Sequence, residues 1–400
     1  MIRQDSHIRR GGILLLPRLL GPRAAPAPPD QSVRKKETAL QHLKVYVYAI
    51  CKNEEAFAAR WYESMKEADG VCVLDTGSSD QTVSVLRGLG ASVESAVIDP
   101  WRFDDARNRS LALVPEDADI CVCTDLDEVF RAGWREHMER AWTDGVSLLH
   151  YRYTWNFLEN GQEGVVFWIG KAHARHGYRW VNPVHEVLEH TKDTPSPYRV
   201  AEGVQLDHLP DHSKSRSSYL PLLELAVEEN PDNDRNMHYL GREYMFYGMW
   251  EKCRETLLRH LSLPSAVWKP ERCASMRYIA IACEQLQQDA EAERWHFLSI
   301  AEAPELREPW LETARFFLKK KDWLGAAWFA ERTLAITERT YYYMNSQKAW
   351  LEEPYDVASL GYYYLSKETD PKARALELVK KALEFAPGDS RLLANLRFME

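Results

Sequence analysis

The chain has 400 residues, 45% hydrophobic and 28% charged, with a formal net charge of −9; this is the balance of a globular protein long enough for two domains. The acidic balance favours no nucleic acid as an obligatory partner, and no segment reaches the length of a membrane span. Seven cysteines, an odd number without C-x-x-C spacing, read as buried small hydrophobes in a reducing cytosol. In residues 1–40 an apolar run from Ile13 to Leu20 follows Arg9-Arg10 but is broken by Pro17 and Arg18, and Ala24 to Pro29 is a Pro/Ala linker. That segment reads as a disordered extension rather than a secretory signal, and the protein as cytoplasmic.

Strand and helix patterns then alternate. Val45 to Cys51 is a short apolar, β-branched and aromatic run that breaks into Lys52-Asn53-Glu54-Glu55, as a buried parallel strand does on meeting a helix, here Ala56 to Ala68. Val71 to Leu74 breaks into Asp75-Thr76-Gly77-Ser78-Ser79-Asp80 before a helix reaching Leu89. Ser92 to Ile98 leads to Trp101 through Asn108 and another helix. A fourth strand ends in Thr124-Asp125-Leu126-Asp127-Glu128. The alternation predicts an open parallel α/β sheet with ligands beyond the carboxyl ends of its strands, where each polar break falls.

Asp125 and Asp127 carry the most chemistry. Side chains two apart on a strand share a side, so both carboxylates could grip one hard cation that also takes phosphate oxygens. A divalent ion in that position neutralises the charge of a departing nucleoside diphosphate without moving a proton. Acidic pairs are also common at solvated strand ends. Asp75, within D-T-G-S-S-D, equally suits a turn.

In order and spacing, I-C-K-N-E-E, V-L-D-T-G-S-S-D, D-D-A-R-N and T-D-L-D-E resemble the family 2 glycosyltransferases of the GT-A fold, nucleotide-sugar enzymes of Rossmann-like α/β architecture. Thr76 stands where the family usually has a second Asp. The resemblance implies a nucleotide-binding set of Asn53, Glu54, Asp75, Arg107 and Asp125, with Asp75 on the base, Arg107 against it and Asp125 near the ribose or metal. It implies Asp127 as the ligand of a bridging Mn²⁺ or Mg²⁺, with catalytic weight, and a UDP-hexose as the donor of an inverting transfer. Lys171 to Glu186 resembles the V-H-E segment of members that carry helical repeats. There His185 is a candidate third metal ligand beside Asp125 and Asp127, and Glu186 a candidate general base. A loop histidine and a solvated glutamate are the plain alternatives. Lys171, Arg175 and Arg179 could hold diphosphate oxygens or be surface charge. Of the aromatic residues between Trp101 and Trp180, one or two could line a sugar or acceptor site, the rest being core.

After His208-Leu209-Pro210 the period becomes helical. Tetratricopeptide repeats place a small residue on the first helix of a hairpin and another at fixed separation on the second; Gly241 with Cys253, and Gly361 with Ala373, share that separation. Terminators recur at Asn230-Pro231-Asp232, Leu263-Pro264, Ala303-Pro304 and Ala386-Pro387-Gly388. Arg307 to Lys319 and Trp323 to Ile336 have helical spacing, and tyrosines such as Tyr239 and Tyr341 to Tyr343 read as inter-helix packing or a concave binding face. The expected organisation is an extension over 1–40, a GT-A glycosyltransferase domain over 41–212 and a tetratricopeptide-like helical solenoid over 213–400. Its expected function is metal-dependent transfer of a hexose from a nucleotide sugar to a peptide, protein or glycan acceptor, with a homodimer through the repeats as a further expectation. The rival from another class is a non-enzymatic repeat scaffold with a degenerate sugar-nucleotide domain. A nucleotidyltransferase is a second rival, but it would show a Gly-rich basic loop where Lys52-Asn53-Glu54-Glu55 is acidic.

Overall fold

The computed structural model describes residues 42–158, 160–192, 196–210, 219–365 and 369–400. The extension expected over 1–40 and the boundary expected at 212 and 213 lie outside them.

Seven elements form the first half of the sheet part: β1 (Val45–Cys51), α1 (Glu55–Met65), β2 (Gly70–Asp75), α2 (Thr82–Leu89), β3 (Ser92–Ser95), α3 (Phe103–Ala112) and β4 (Ile120–Cys123). The period of two in β1 explains the layering. Val45, Val47 and Ala49 face Ala58, Trp61 and Met65 of α1, whereas Tyr48 joins Cys72, Cys121, Cys123 and Leu111 on the opposite side. Both faces are covered, which is why the strand reads as a continuous apolar run.

The second half comprises β5 (Glu128–Phe130), α4 (Trp134–Ala141), β6 (Leu148–Thr154), β7 (Val166–His173), β8 (Tyr178–Val181), β9 (Val187–His190) and β10 (Tyr198–His208). Eight strands make one sheet in the order β3-β2-β1-β4-β7-β6-β10-β5, and β8 and β9 form a separate antiparallel pair. This corrects the expected open parallel sheet. The neighbours β3-β2-β1-β4 run parallel, as do β6 and β10; β7 is antiparallel to both β4 and β6, and β5 to β10. The sheet is therefore mixed, because half of its strands follow the last βα unit and return without crossover helices.

The rest is helical: α5 (Tyr219–Glu229), α6 (Asp234–Phe246), α7 (Trp250–Ser262), α8 (Lys269–Gln285), α9 (Asp289–Glu302), α10 (Arg307–Lys319), α11 (Trp323–Ala335), α12 (Glu353–Leu365), α13 (Thr369–Phe385) and α14 (Ser390–Met399). Each expected Pro terminator falls between helices. From α6 to α13 the helices pack as successive hairpins, a tetratricopeptide-like solenoid. Its small-residue pairs are more regular than the sequence alone suggested: besides Gly241 and Cys253, Ala280 pairs with Ala292 and Ala314 with Ala326, all buried. Ala373 is exposed, and Ala375 is the buried residue of α13 instead.

Gly361 shows what these positions do. A Cβ there would sit 2.7 Å from the Ala327 nitrogen and 2.9 Å from the Trp323 carbonyl oxygen, backbone atoms of α11 that cannot swing aside. Gly361→Ala is therefore expected to cost about 1–3 kcal/mol. Urea denaturation should show a lower midpoint with an unchanged slope; an unmoved midpoint would mean that α12 shifts freely.

The connection between α11 and a short 3-10 turn at Gln347–Trp350 is long. Residues 336–346 fold back as a strap over earlier units. Tyr342 packs edge-on against Trp268 at 5.5 Å and Tyr343 stacks on Tyr239 at 5.8 Å, with the Tyr343 hydroxyl donating to Glu271. Asn345 Nδ2 (3.1 Å) and the Ser346 N–H (2.8 Å) donate to Glu308. Arg339 donates to the Gly164 carbonyl of the sheet part at 3.1 Å. These tyrosines thus pack between units from an inserted strap, not from a helix. A second junction lies at Trp101, Phe103 and Val184, which share an apolar cluster with Leu222, Leu223 and Tyr239 of the solenoid.

Candidate functional site

The strand-end turns after β1 and β2 are laced to each other. The Asn53 N–H donates to Ser78 Oγ at 2.9 Å, its side-chain oxygen accepts from the Ser79 N–H at 2.7 Å, and the Glu54 N–H donates to Thr82 Oγ1 at 2.7 Å. Asp75 is 3% exposed, and its carboxylate accepts from the N–H groups of Ser78 (3.0 Å) and Gly77 (3.3 Å). Gly77 has φ +106°, a left-handed conformation that glycine adopts without strain. Asp75 therefore ties the turn together in the way an Asx turn does.

Strand β4 ends at Cys123, so Asp125, Leu126 and Asp127 lie in a turn, closed by Glu128 N–H donating to the Asp125 carbonyl at 3.0 Å. The strand period ceases there. Leu126 is buried between the two aspartates, which go to different partners. Arg107, its side chain 6% exposed, donates to Asp125 at 2.9 Å and also pairs with Glu186. Lys171 lies 2.9 Å from Glu128 and 3.5 Å from Asp125. Asp127 faces His208 instead, at 3.3 Å.

Burial works against the charges of Asp125, Arg107, Lys171 and His208, and their neighbours outweigh it. Asp125 would be pushed up by burial, but the Arg107 and Lys171 cations hold its carboxyl well below the usual range. Burial opposes the Arg107 guanidinium, yet Asp125 and Glu186 hold its pKa well above normal. Lys171 is raised in the same way by Glu128 and Asp125. Burial lowers His208, but the Asp127 hydrogen bond and charge raise it overall. The Cys123 thiol is pushed up to about 11 by burial, so it is an inert neighbour 3.2 Å from Arg107.

His185 is elsewhere. Its ring stacks on Tyr239 at 4.1 Å and meets Tyr219 edge-on at 5.6 Å, both on the solenoid. The loop that carries it is a dock: the His185 carbonyl accepts from Arg235, Asn182 Oδ1 accepts from Asn236 Nδ2 at 3.0 Å, and Pro183 O accepts from the Phe103 N–H at 3.0 Å. The three-ligand set of Asp125, Asp127 and His185 is corrected accordingly. Among the described residues, no group of three or more His, Cys, Asp or Glu side chains could hold a metal ion. The acidic side chains present do not fit a resident Mn²⁺ or Mg²⁺, because Arg107 and Lys171 already supply the positive charge. Glu186, expected as a general base, serves as a counter-ion to Arg107.

Other basic residues of the segment brace the fold. Arg175 donates to the Val114 carbonyl at 3.0 Å and Arg179 to Glu189 across the β8–β9 pair at 2.8 Å. Of the aromatic residues, Trp155 is 47% exposed and stacks on His208 at 4.5 Å. His208 and Glu128 belong to the cluster but were absent from the sequence-derived set. The signal was present in Gln205-Leu206-Asp207-His208, a polar break at a strand's carboxyl end like the others, which reads as a boundary when only the βα alternation is followed.

No family model and no curated protein matches the chain. Among solved structures it is similar to MamA, at 16% identity over 44% of this chain and 91% of that one, with a TM-score of 0.35. It is similar also to a thermophilic tetratricopeptide-repeat protein of Thermus thermophilus, at 16% identity over 46% and 89%, TM-score 0.34. A third is YrrB, a tetratricopeptide-repeat protein with an unusual peptide-binding site, at 15% identity over 45% and 83%, TM-score 0.34. The last two of these are tetratricopeptide-repeat proteins by name. The dispersal of Asp125, Asp127 and His185 to different partners corrects the metal-dependent hexosyl transfer expected from the motifs, and with it the family 2 resemblance and its GT-A assignment, for which no family model or curated protein matches. No helix among the described residues is long and apolar enough to cross a membrane.

Proposed function

We propose that this chain is a repeat scaffold whose helical solenoid binds a peptide or protein partner, with the sheet part as a rigid support. The observation that carries this reading is the closure of the strand-end charges on one another. Asp125 and Glu186 share Arg107, Glu128 takes Lys171, and Asp127 takes His208. Paired buried charges fix a geometry and contribute little net stability, so the cluster acts as internal bracing. The solenoid, by contrast, presents an extended surface with aromatic and cationic side chains that the fold itself leaves open. Repeat arrays of this kind offer long curved faces to extended chains.

The nucleotide sugar, a UDP-hexose, and Mn²⁺ or Mg²⁺ enter only as ligands to be tried at Asn53, Glu54, Asp75, Arg107 and Asp125. The test has two arms on the full chain. Selection from a random peptide library, followed by calorimetry, is expected to yield peptides with dissociation constants on the order of 10 μM, about −7 kcal/mol. UDP-hexose titrated with and without each ion is the second arm. Heat from the nucleotide with no enriched peptide would place the function at the strand ends and overturn the scaffold reading.

A further inference from the structure

Two deeply buried arginines of the chain sit beside carboxylates: Arg107 has Asp125 and Glu186, and Arg277 on α8 has Glu312 on α10. In both, burial opposes the charge and the carboxylates outweigh it, holding the guanidinium pKa above its ordinary value. Arg307, the first residue of α10, is only 7% exposed and has no carboxylate at ion-pair distance among the described residues. It donates to two backbone carbonyls, Ile336 O at 2.7 Å and Ala349 O at 3.1 Å. Neutral acceptors do not cancel a charge, and burial pulls this guanidinium below its ordinary value. Glu308 and Tyr355 act on it from a distance, but the Glu308 carboxylate is engaged by Asn345 and Ser346.

A second cation meets it. Arg307 and Arg339 lie over the same Trp350 ring, at 4.0 and 5.6 Å, and the charge of Arg339 depresses Arg307 further. Arg339 comes from the strap and donates to the Gly164 carbonyl between β6 and β7; it too has no carboxylate at ion-pair distance among the described residues. The buried indole N–H of Trp350 has no acceptor, and neither has the buried side-chain nitrogen of Gln347. Residues three apart eclipse each other in a 3-10 turn, so Gln347 and Trp350 project from one side of it. Two guanidiniums and two unmet N–H donors thus gather at Trp350. The like charges repel each other, and the neutral donors are costly to bury unmet. One anion among them relieves both. A tetrahedral oxyanion suits this set better than a carboxylate, because its oxygens point in four directions while those of a carboxylate lie in one plane.

We propose that Arg307, Arg339, Gln347 and Trp350 form a binding site for an oxyanion of the phosphate class, which joins the strap to α10 beside the β6–β7 connection. The site goes beyond the scaffold reading and does not depend on what the solenoid binds. On a chain of net charge −9 general uptake of anions is disfavoured, so phosphate binding reports a local cationic site.

The test is calorimetry of the full chain with inorganic phosphate, at an ionic strength held constant with chloride. A dissociation constant on the order of 1 mM is expected, weakened about tenfold in Arg339→Gln. Arg339→Lys should regain part of the affinity, because it keeps the charge and loses the planar fork. Trp350→Phe keeps a ring and removes only the N–H, and should weaken binding about fivefold. Arg307 is left intact, since its two carbonyl bonds hold the start of α10; thermal unfolding in chloride checks that each variant is folded. Arg374→Gln, on α13 and paired with Glu331, should bind as the native chain does. Phenyl phosphate separates the two sources of the group: binding of the ester assigns a mouth open to an esterified ligand, its rejection assigns the free ion, and either upholds the site. Absence of phosphate binding, or equal affinity in the native chain, Arg339→Gln and Trp350→Phe, would overturn it, as would an equal loss in Arg374→Gln. The peptide selection is independent of these titrations, so their failure leaves the scaffold reading standing.

Discussion

Arg107→Leu is expected to lower stability at neutral pH by about 3 kcal/mol, the low end of the range for breaking a buried pair, since Asp125 is partly open to solvent. Two carboxylates then lose one shared cation. Glu186 has its side chain only 11% exposed and has no second ion-pair partner among the described residues. The pH dependence gives the effect its signature. In the native chain the carboxyl of Asp125 is held below its usual range, so its stabilisation is present above the unfolded pKa and lost as pH falls through the lower folded value. In the variant, burial without the Arg107 cation raises the Asp125 carboxyl, and its protonation relieves the unpaired charge. The stability gap between native and variant chains should therefore narrow from neutral pH toward about pH 4, as measured by urea denaturation at each pH. A gap that stays constant would show that the guanidinium acts through packing on Trp180, 5.2 Å away, and not through charge.

Tyr239→Ala is expected to have the other large effect, about 3–5 kcal/mol. The ring is 5% exposed and is held on one side by His185, on another by Tyr343, and by two guanidiniums. Its removal takes the platform from the docking loop and the strap together. Hydrogen exchange should accelerate in residues 182–186 and 339–346 more than in α10 or α11. Uniform acceleration over the whole solenoid would make Tyr239 an ordinary core residue.

The elements that could be read from the sequence are those whose cause is local. Val45 to Cys51 is a strand because seven consecutive positions suit a doubly covered sheet, and Arg307 to Lys319 is a helix because its apolar residues recur at helical spacing; both were found at the expected residues. The sheet's second half escaped because direction depends on which strands meet, and β7 meets β4 across a long stretch of chain. The candidate site illustrates the same limit more sharply. Arg107 and Glu186, and Asp127 and His208, are pairs that only the closed fold brings together. A short motif records residue types but not which distant cation will neutralise them. D-x-D was read as a cation site, and the motif by itself left open that Arg107 and His208 are the partners of its two carboxylates. His185 was singled out by its neighbours in sequence, whereas its role comes from Tyr239.

The strap alters how the solenoid can come apart. In a plain repeat array each unit touches only the next, so units can melt from either end in small steps. Here the segment after α11 reaches back to Trp268, Tyr239 and Gly164, joining a late unit to the first one and to the sheet. Melting any unit from α6 to α11 breaks that long-range closure as well as its neighbour contacts. That stretch is bound to open as one cooperative block, while α13 and α14, beyond the strap, are free to fray alone.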